Sequence, residues 1–282
     1  MLNDRIKGMA LIFATVLCFS IGGLLIKFSP WNGLAITAGR SFFAVMTYVV
    51  YMAVMRHRPV INVPTLIGAF SVSMDFALYI QAAKMTTIGN ALVLENTAPI
   101  FVVFFSWLLL KIRPTNADIA ASIAVFVGVV IFFVDSLSAG NMAGNMLALA
   151  SGFFYSIMML MKKLKGCDQM SAFFFGFLFT ILLGAGSVAG MTDWSASAIG
   201  GLALLGIVQV GLAYVLFDIG SQYLKPIETS LICTFEPVLS TVLVALFYGE
   251  YMTPVSIAGA VIVFGTISIY QLRQVRGGTD ET

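Results

Sequence analysis

The chain has 282 residues, 60% of them hydrophobic and only 10% charged, with a formal net charge of +2. That balance excludes an ordinary water-soluble domain and a disordered chain, and describes a protein that crosses a bilayer several times. Three scattered cysteines, Cys18, Cys167 and Cys233, have neither paired nor metal-ligand spacing, so neither a disulfide scaffold nor zinc is expected.

Breaks at charged or Pro/Gly/Asn-rich turns divide the chain into ten apolar stretches. These are predicted as helices at about 8–28, 33–55, 63–82, 86–110, 115–134, 143–161, 170–190, 197–220, 226–248 and 253–272, near the roughly 20 residues that span hydrocarbon. The first follows Arg5 and Lys7, as a signal peptide would, but its apolar run is too long and precedes the turn at Ser29-Pro30 without a small-residue cleavage site, so it reads as helix 1. Helix 2 carries Arg40, and helix 3 carries Asp75 with Tyr79 one turn on. Helix 4 holds Glu95 and Pro99, helix 6 holds Tyr155, helix 8 holds Tyr214 one turn before Asp218, and helix 9 holds Glu236 and Pro237. The connections are too short for a further domain, so residues 1–282 form a single membrane domain.

Orientation follows from the cations. Of fifteen Lys and Arg residues, all but Lys27, Lys84 and Arg40 fall on the side that holds both termini, which the positive-inside rule makes cytoplasmic. The excess charge is therefore topogenic and requires no nucleic acid. The partners implied are the lipid bilayer and a small-molecule substrate, and the oligomeric state is left unassigned.

An internal repeat organises the chain. Gly8 to Lys27 superposes on Gly144 to Lys163 without gaps, Lys84 aligns with Gln222, and Pro99 aligns with Pro237. The halves run from about 1 to 138 and from 139 to 276. Five helices is an odd number, so the second half must enter the membrane inverted relative to the first.

Two such repeats, the Thr97-Ala98-Pro99 turn and the Gly249-Glu250-Tyr251-Met252-Thr253-Pro254 turn together resemble the EamA family of the drug/metabolite transporter superfamily. The first half departs at Lys111-Ile112-Arg113-Pro114, where the second has the Gly-Glu turn. The resemblance implies an all-α bundle of ten helices around a central cavity, lined by helices 1–4 and 6–9 and buttressed by helices 5 and 10. It also implies export of amino acids, related metabolites or amphiphilic drugs.

Counting at about 1.5 Å per residue puts Arg40, Asp75 and Glu95 at a shared depth of roughly 10–14 Å below the external surface, with Glu236 near the midplane. One base among three acids disfavours an anionic cargo and favours a zwitterionic or cationic one, with Arg40 receiving a carboxylate and an acid receiving an ammonium. Arg40 paired structurally with Asp75 is the competing reading. A carboxylate held in hydrocarbon is also a candidate proton carrier, which points to Glu95 and Glu236. Tyr79, Tyr155 and Tyr214, with Phe19 and Trp107, are candidate pocket walls, and Pro99 and Pro237 are candidate hinges beside the acids. Lys27 and Lys84 are expected to snorkel, Trp31 and Trp194 to anchor at the external interface, and Asp218, Lys225 and Glu228 to form a solvated cytoplasmic cluster. His57, in the basic Arg56-His57-Arg58 turn, is expected in solvent.

No Gly-x-Ser-x-Gly elbow, His-Glu-x-x-His pair or Walker loop is present, so neither an enzyme nor a cofactor is expected. The reading is a secondary transporter of the cytoplasmic membrane that exports small amino acid-like or cationic metabolites by alternating access, with proton coupling open. A channel, or a polytopic enzyme or scaffold that moves no solute, is the alternative.

Overall fold

The computed structural model describes residues 2–28, 31–86, 88–137, 141–248 and 253–277. Regular structure in them is helical throughout. The first half contains α1 (Leu2–Phe28), α2 (Gly33–Val54), α3 (Val63–Met85), α4 (Ile88–Glu95), α5 (Ala98–Leu110) and α6 (Asn116–Phe132). The second contains α7 (Met142–Leu160), α8 (Gln169–Ala189), α9 (Ala196–Leu204), a π-helical segment Leu205–Leu212, α10 (Ala213–Ser221), α11 (Pro226–Cys233), α12 (Phe235–Tyr248) and α13 (Pro254–Gly277). Among the described residues eight helices are long and apolar enough to cross a membrane, and α6 is a shorter apolar one. Taken with α4–α5, α9–α10 and α11–α12 as continuous crossings, the chain makes ten, as two five-helix repeats around a central cavity.

Helix ends fall where side chains can satisfy the free N–H groups of a first turn. Asn32 accepts from Ala35 N–H, Asn62 from Thr65 N–H and Asp168 from Ser171 N–H. Thr115 and Asp118 reciprocate in a capping box at the start of α6. Two crossings break for a different reason. Proline lacks the N–H that would bond four residues back, and its ring crowds that carbonyl. Four residues before Pro99 is Glu95, where α4 ends, and four before Pro237 is Cys233, where α11 ends. The acid-proline pattern of the sequence is thus a pair of helix interruptions.

The repeats interleave: α2 and α3 pack on α8, α3 also packs on α7, and α1 packs on α10, α11 and α12. The fifth and tenth crossings, α6 and α13, pack mainly on each other. Large apolar side chains such as Phe42, Val50, Leu182 and Leu246 are exposed around the bundle, as a lipid-facing surface requires.

Several expectations are corrected here. Trp107 is half exposed on the outer surface and walls no pocket. Trp31 is buried, donating from its indole to Asp193 O at 2.7 Å and packing edge-on against the exposed Trp194 at 4.8 Å. A tryptophan that finds an acceptor inside the protein has no need of the interface. The side chains of Lys27 and Lys84, and the turn from Gly249 to Met252, lie outside the described residues.

Candidate functional site

One cavity of about 180 Å³ lies among α1, α2, α3, α4, α7, the π segment, α10, α11 and α12. Arg40, Asp75, Tyr79, Glu95, Tyr155, Tyr214, Glu236 and Pro237 all line it. Pro99 is buried in the first turn of α5, outside the lining. Phe19, Phe76, Gln209, Asn96, Cys233 and Ser240 complete the polar and aromatic wall. The seventh crossing, α8, contributes no described lining residue, which corrects the family-based expectation. It stands behind the wall because Phe173 and Phe177 fill the space between its axis and Tyr214.

The charges do not cancel one another. Arg40 is buried, donates from Nη1 to Gln209 Oε1 at 3.1 Å, and holds its guanidinium 5.0 Å from the centre of the Phe76 ring. Among the described residues no ion pair joins Arg40 to Asp75, so the structural-pair reading fails. Arg40 Nε and Asp75 Oδ1 are both buried without a hydrogen-bond partner among the described residues. Burying an unmatched donor or acceptor costs on the order of 1–3 kcal/mol, and more when it is charged.

The helix breaks bring backbone to the same place. Gly152 of α7 faces the end of α4, where a Cβ would come within 2.6 Å of Glu95 O, so a side chain there would collide with the interrupted turn. Ser20 Oγ donates to Glu236 O at 3.4 Å on the other side.

Between the cavity and the terminus-bearing end lies a layer of fully buried aromatics. Tyr48 of α2 meets Phe173 and Phe177 of α8 at 6.1 and 5.3 Å, and Phe173 packs on Phe217 and Tyr214 of α10. Beyond it, several contacts join the first repeat to the second, among them Tyr270 OH to Asp118 Oδ1 and three further ties on acids. Asp218 accepts from Tyr51 OH at 3.1 Å and from Lys162 Nζ at 2.8 Å; Arg5 pairs with Glu228 and also donates to Gln274 O; His57 Nε2 lies 2.9 Å from Asp168 Oδ1. The expected solvated cluster is therefore corrected: Asp218 and Glu228 are buried, each beside a cationic partner that offsets part of the cost of taking it from water. His57 is likewise engaged instead of free in solvent. Burial works against the Asp168 carboxylate, but the Ser171 hydroxyl and N–H and the His57 ring outweigh it and hold Asp168 below the usual aspartate range. At the opposite end the described cross-repeat hydrogen bonds, among them Trp31 to Asp193 O, Thr86 Oγ1 to Asn145 Oδ1 at 2.7 Å and Thr253 Oγ1 to Asp135 Oδ2 at 2.6 Å, involve no opposite charges.

Gln209 is among the lining residues that sequence reasoning passed over, with Phe76, Asn96, Cys233 and Ser240. A glutamine inside the apolar run Leu205–Leu212 was a signal in itself, since an amide in hydrocarbon needs a partner.

Two helical repeats that enclose a charged cavity within a membrane bundle define the class: a polytopic membrane transporter. The EamA-like transporter family matches residues 6–134 and 142–271, one match per repeat, and the chain belongs to that family. The uncharacterized transporter YwfM of Bacillus subtilis (strain 168) is 27% identical over 202 residues, covering 68% of each chain. A solved crystal structure of a protein superposes with a TM-score of 0.82 at 18% identity, over 95% of this chain and 97% of that one, a likeness of fold.

Proposed function

We propose that the protein exports small zwitterionic, amino acid-like metabolites across the cytoplasmic membrane by alternating access, coupled to protons. The observation that carries this reading is the convergence of one guanidinium and three carboxylates on one cavity, with Arg40 Nε and Asp75 Oδ1 lacking partners among the described residues. A substrate carboxylate takes the Arg40 donors, and its ammonium takes the acidic side formed by Asp75, Glu95 and Glu236. The aromatic wall receives the apolar remainder. A volume of about 180 Å³ is below the roughly 300–1,000 Å³ of pockets for drug-sized ligands, which favours a small metabolite over a bulky amphiphile.

Charge arithmetic supports coupling. With Arg40 balancing one acid, the fully ionised cavity keeps two negative charges, and a bound zwitterion changes nothing. Protons on both Glu95 and Glu236 neutralise the remainder before the site moves through its occluded state. The cation excess on the terminus-bearing side supports a cytoplasmic placement for both termini. Opening to that side then requires the Tyr51–Asp218, Arg5–Glu228 and His57–Asp168 ties to part, with the interruptions at Glu95 and Cys233 serving as hinges.

The excess acid and aromatic wall also favour a second reading, in which organic cations are carried through cation–π contact. Uptake and counterflow in proteoliposomes, with amino acids, polyamines and organic cations and with or without a pH gradient, separate the two. Amino acids should be carried, faster under a pH gradient. Preference for anionic solutes overturns both readings, and currents far above carrier turnover would indicate a channel.

A further inference from the structure

We infer that Gln209 is the positioning residue for the carboxylate half of the substrate: it fixes the Arg40 guanidinium across the repeat interface and adds its own amide donor beside it. This inference rests on the reading of the cavity as a zwitterion site.

The winding of the eighth crossing places Gln209. Gly206 and Gly211 both face α2: a Cβ on Gly206 would lie 2.3 Å from Arg40 O, and one on Gly211 would lie 2.7 Å from Thr47 Cβ. In an α-helix, positions five apart are turned by about 140° from each other and could not both face one neighbour. The i→i+5 turn of a π-helix returns to nearly the same face after roughly that number of residues. The segment Leu205–Leu212 therefore lets α2 approach at two glycines one turn apart. Between them, Gln209 is carried to the cavity wall.

Its partners define what it does. Arginine has only donors, so the amide must present Oε1 to it, and the 3.1 Å contact from Arg40 Nη1 leaves Nε2 turned toward Gly22 of α1 at the cavity wall. That Nε2 has no protein partner among the described residues. Gly22 of α1 leaves it room, since a Cβ there would come within 2.6 Å of it. Arg40 uses one of its five donors on Gln209, and Nε is buried and unmatched. A guanidinium held by one edge with the other edge free, next to an amide N–H, is a planar set of donors for a carboxylate.

The test compares amino acids with their decarboxylated amines, leucine with isoamylamine and lysine with cadaverine among them, as competitors and substrates in proteoliposomes. In Gln209→Met, which keeps the length and removes the amide, the preference for amino acid over paired amine, measured as the ratio of their KM values, should fall on the order of tenfold. In Gln209→Glu, a carboxylate bound to Arg40 in place of the substrate's should remove the preference altogether. Gly22→Ala, which crowds the amide without changing its chemistry, should lower the ratio in the same direction and serves if the Gln209 variants do not fold. An unchanged ratio, or both KM values rising together, overturns the role of Gln209. A wild-type protein that carries neither class, or does not distinguish amino acid from amine, overturns the zwitterion reading itself.

Discussion

Glu95 and Glu236 reach the cavity from opposite repeats, each beside an interrupted turn that frees backbone carbonyls near it. If they carry protons, an uncharged isostere should stop the coupling without damaging the bundle. Glu95→Gln and Glu236→Gln are each expected to lower gradient-driven uptake about tenfold or more and to flatten its pH dependence, with a thermal unfolding midpoint close to wild type. Unaltered uptake and pH profile in both variants would remove them from the mechanism. Asp168 tests a different property. It caps α8 and receives His57, and its depressed pKa fixes the sign of the pH effect. Its contribution is complete above the unfolded aspartate pKa of about 3.9 and is lost as pH falls through the lower folded value. Asp168→Ala should therefore destabilise by about 0.5–2 kcal/mol at neutral pH, and by progressively less below about pH 4, followed by thermal unfolding in detergent.

At the scale of the helix, the two prolines are the informative variants. Restoring an N–H at position 99 or 237 allows the bond back to Glu95 O or Cys233 O and favours a continuous helix. Pro99→Ala and Pro237→Ala should keep or raise thermal stability and slow turnover severalfold, because a crossing without its interruption loses the joint about which its halves re-orient. Faster transport in either variant would refute a hinge. The π segment shows the same economy of means: one change of winding reconciles two glycine contacts with α2 and turns a polar side chain inward.

In the whole molecule, the Tyr51–Asp218, Arg5–Glu228 and His57–Asp168 contacts join opposite repeats at the terminus-bearing end, over a buried aromatic layer. Alternating access predicts that these contacts break once per cycle. With Cys18, Cys167 and Cys233 replaced, cysteines introduced as Tyr51→Cys and Asp218→Cys and joined by a short cleavable thiol cross-linker should arrest counterflow, and cleavage should restore it. Full counterflow in the cross-linked protein would show that this end does not open. Conversely, Lys162→Ala leaves Asp218 buried with only Tyr51 as partner, so it should bias the protein toward the state open at that end, read as increased labelling of a cysteine placed at Tyr48.

Much of this was legible from residues alone. Ten crossings follow from hydrophobic length, because hydrocarbon forces the backbone into helices whatever the neighbours are. The repeat and the acid-proline interruptions followed from spacing, and Arg40, Asp75, Glu95 and Glu236 stood out because ions in apolar runs are rare. Partner choice was not legible. Whether Arg40 meets Asp75 or Gln209, whether Asp218 and Glu228 are solvated or buried, and whether Trp31 faces lipid or protein each depend on which helices become neighbours across the two repeats. The sequence by itself determined the solvent, the number of crossings and the charges inside them, since these are local transfer free energies summed along the chain. Only the tertiary structure decided that those charges share one cavity, and that Arg40 meets Gln209 with no ion pair to Asp75, because pairing is a property of distances between elements far apart in sequence, and of a π turn that no α-helical count reveals.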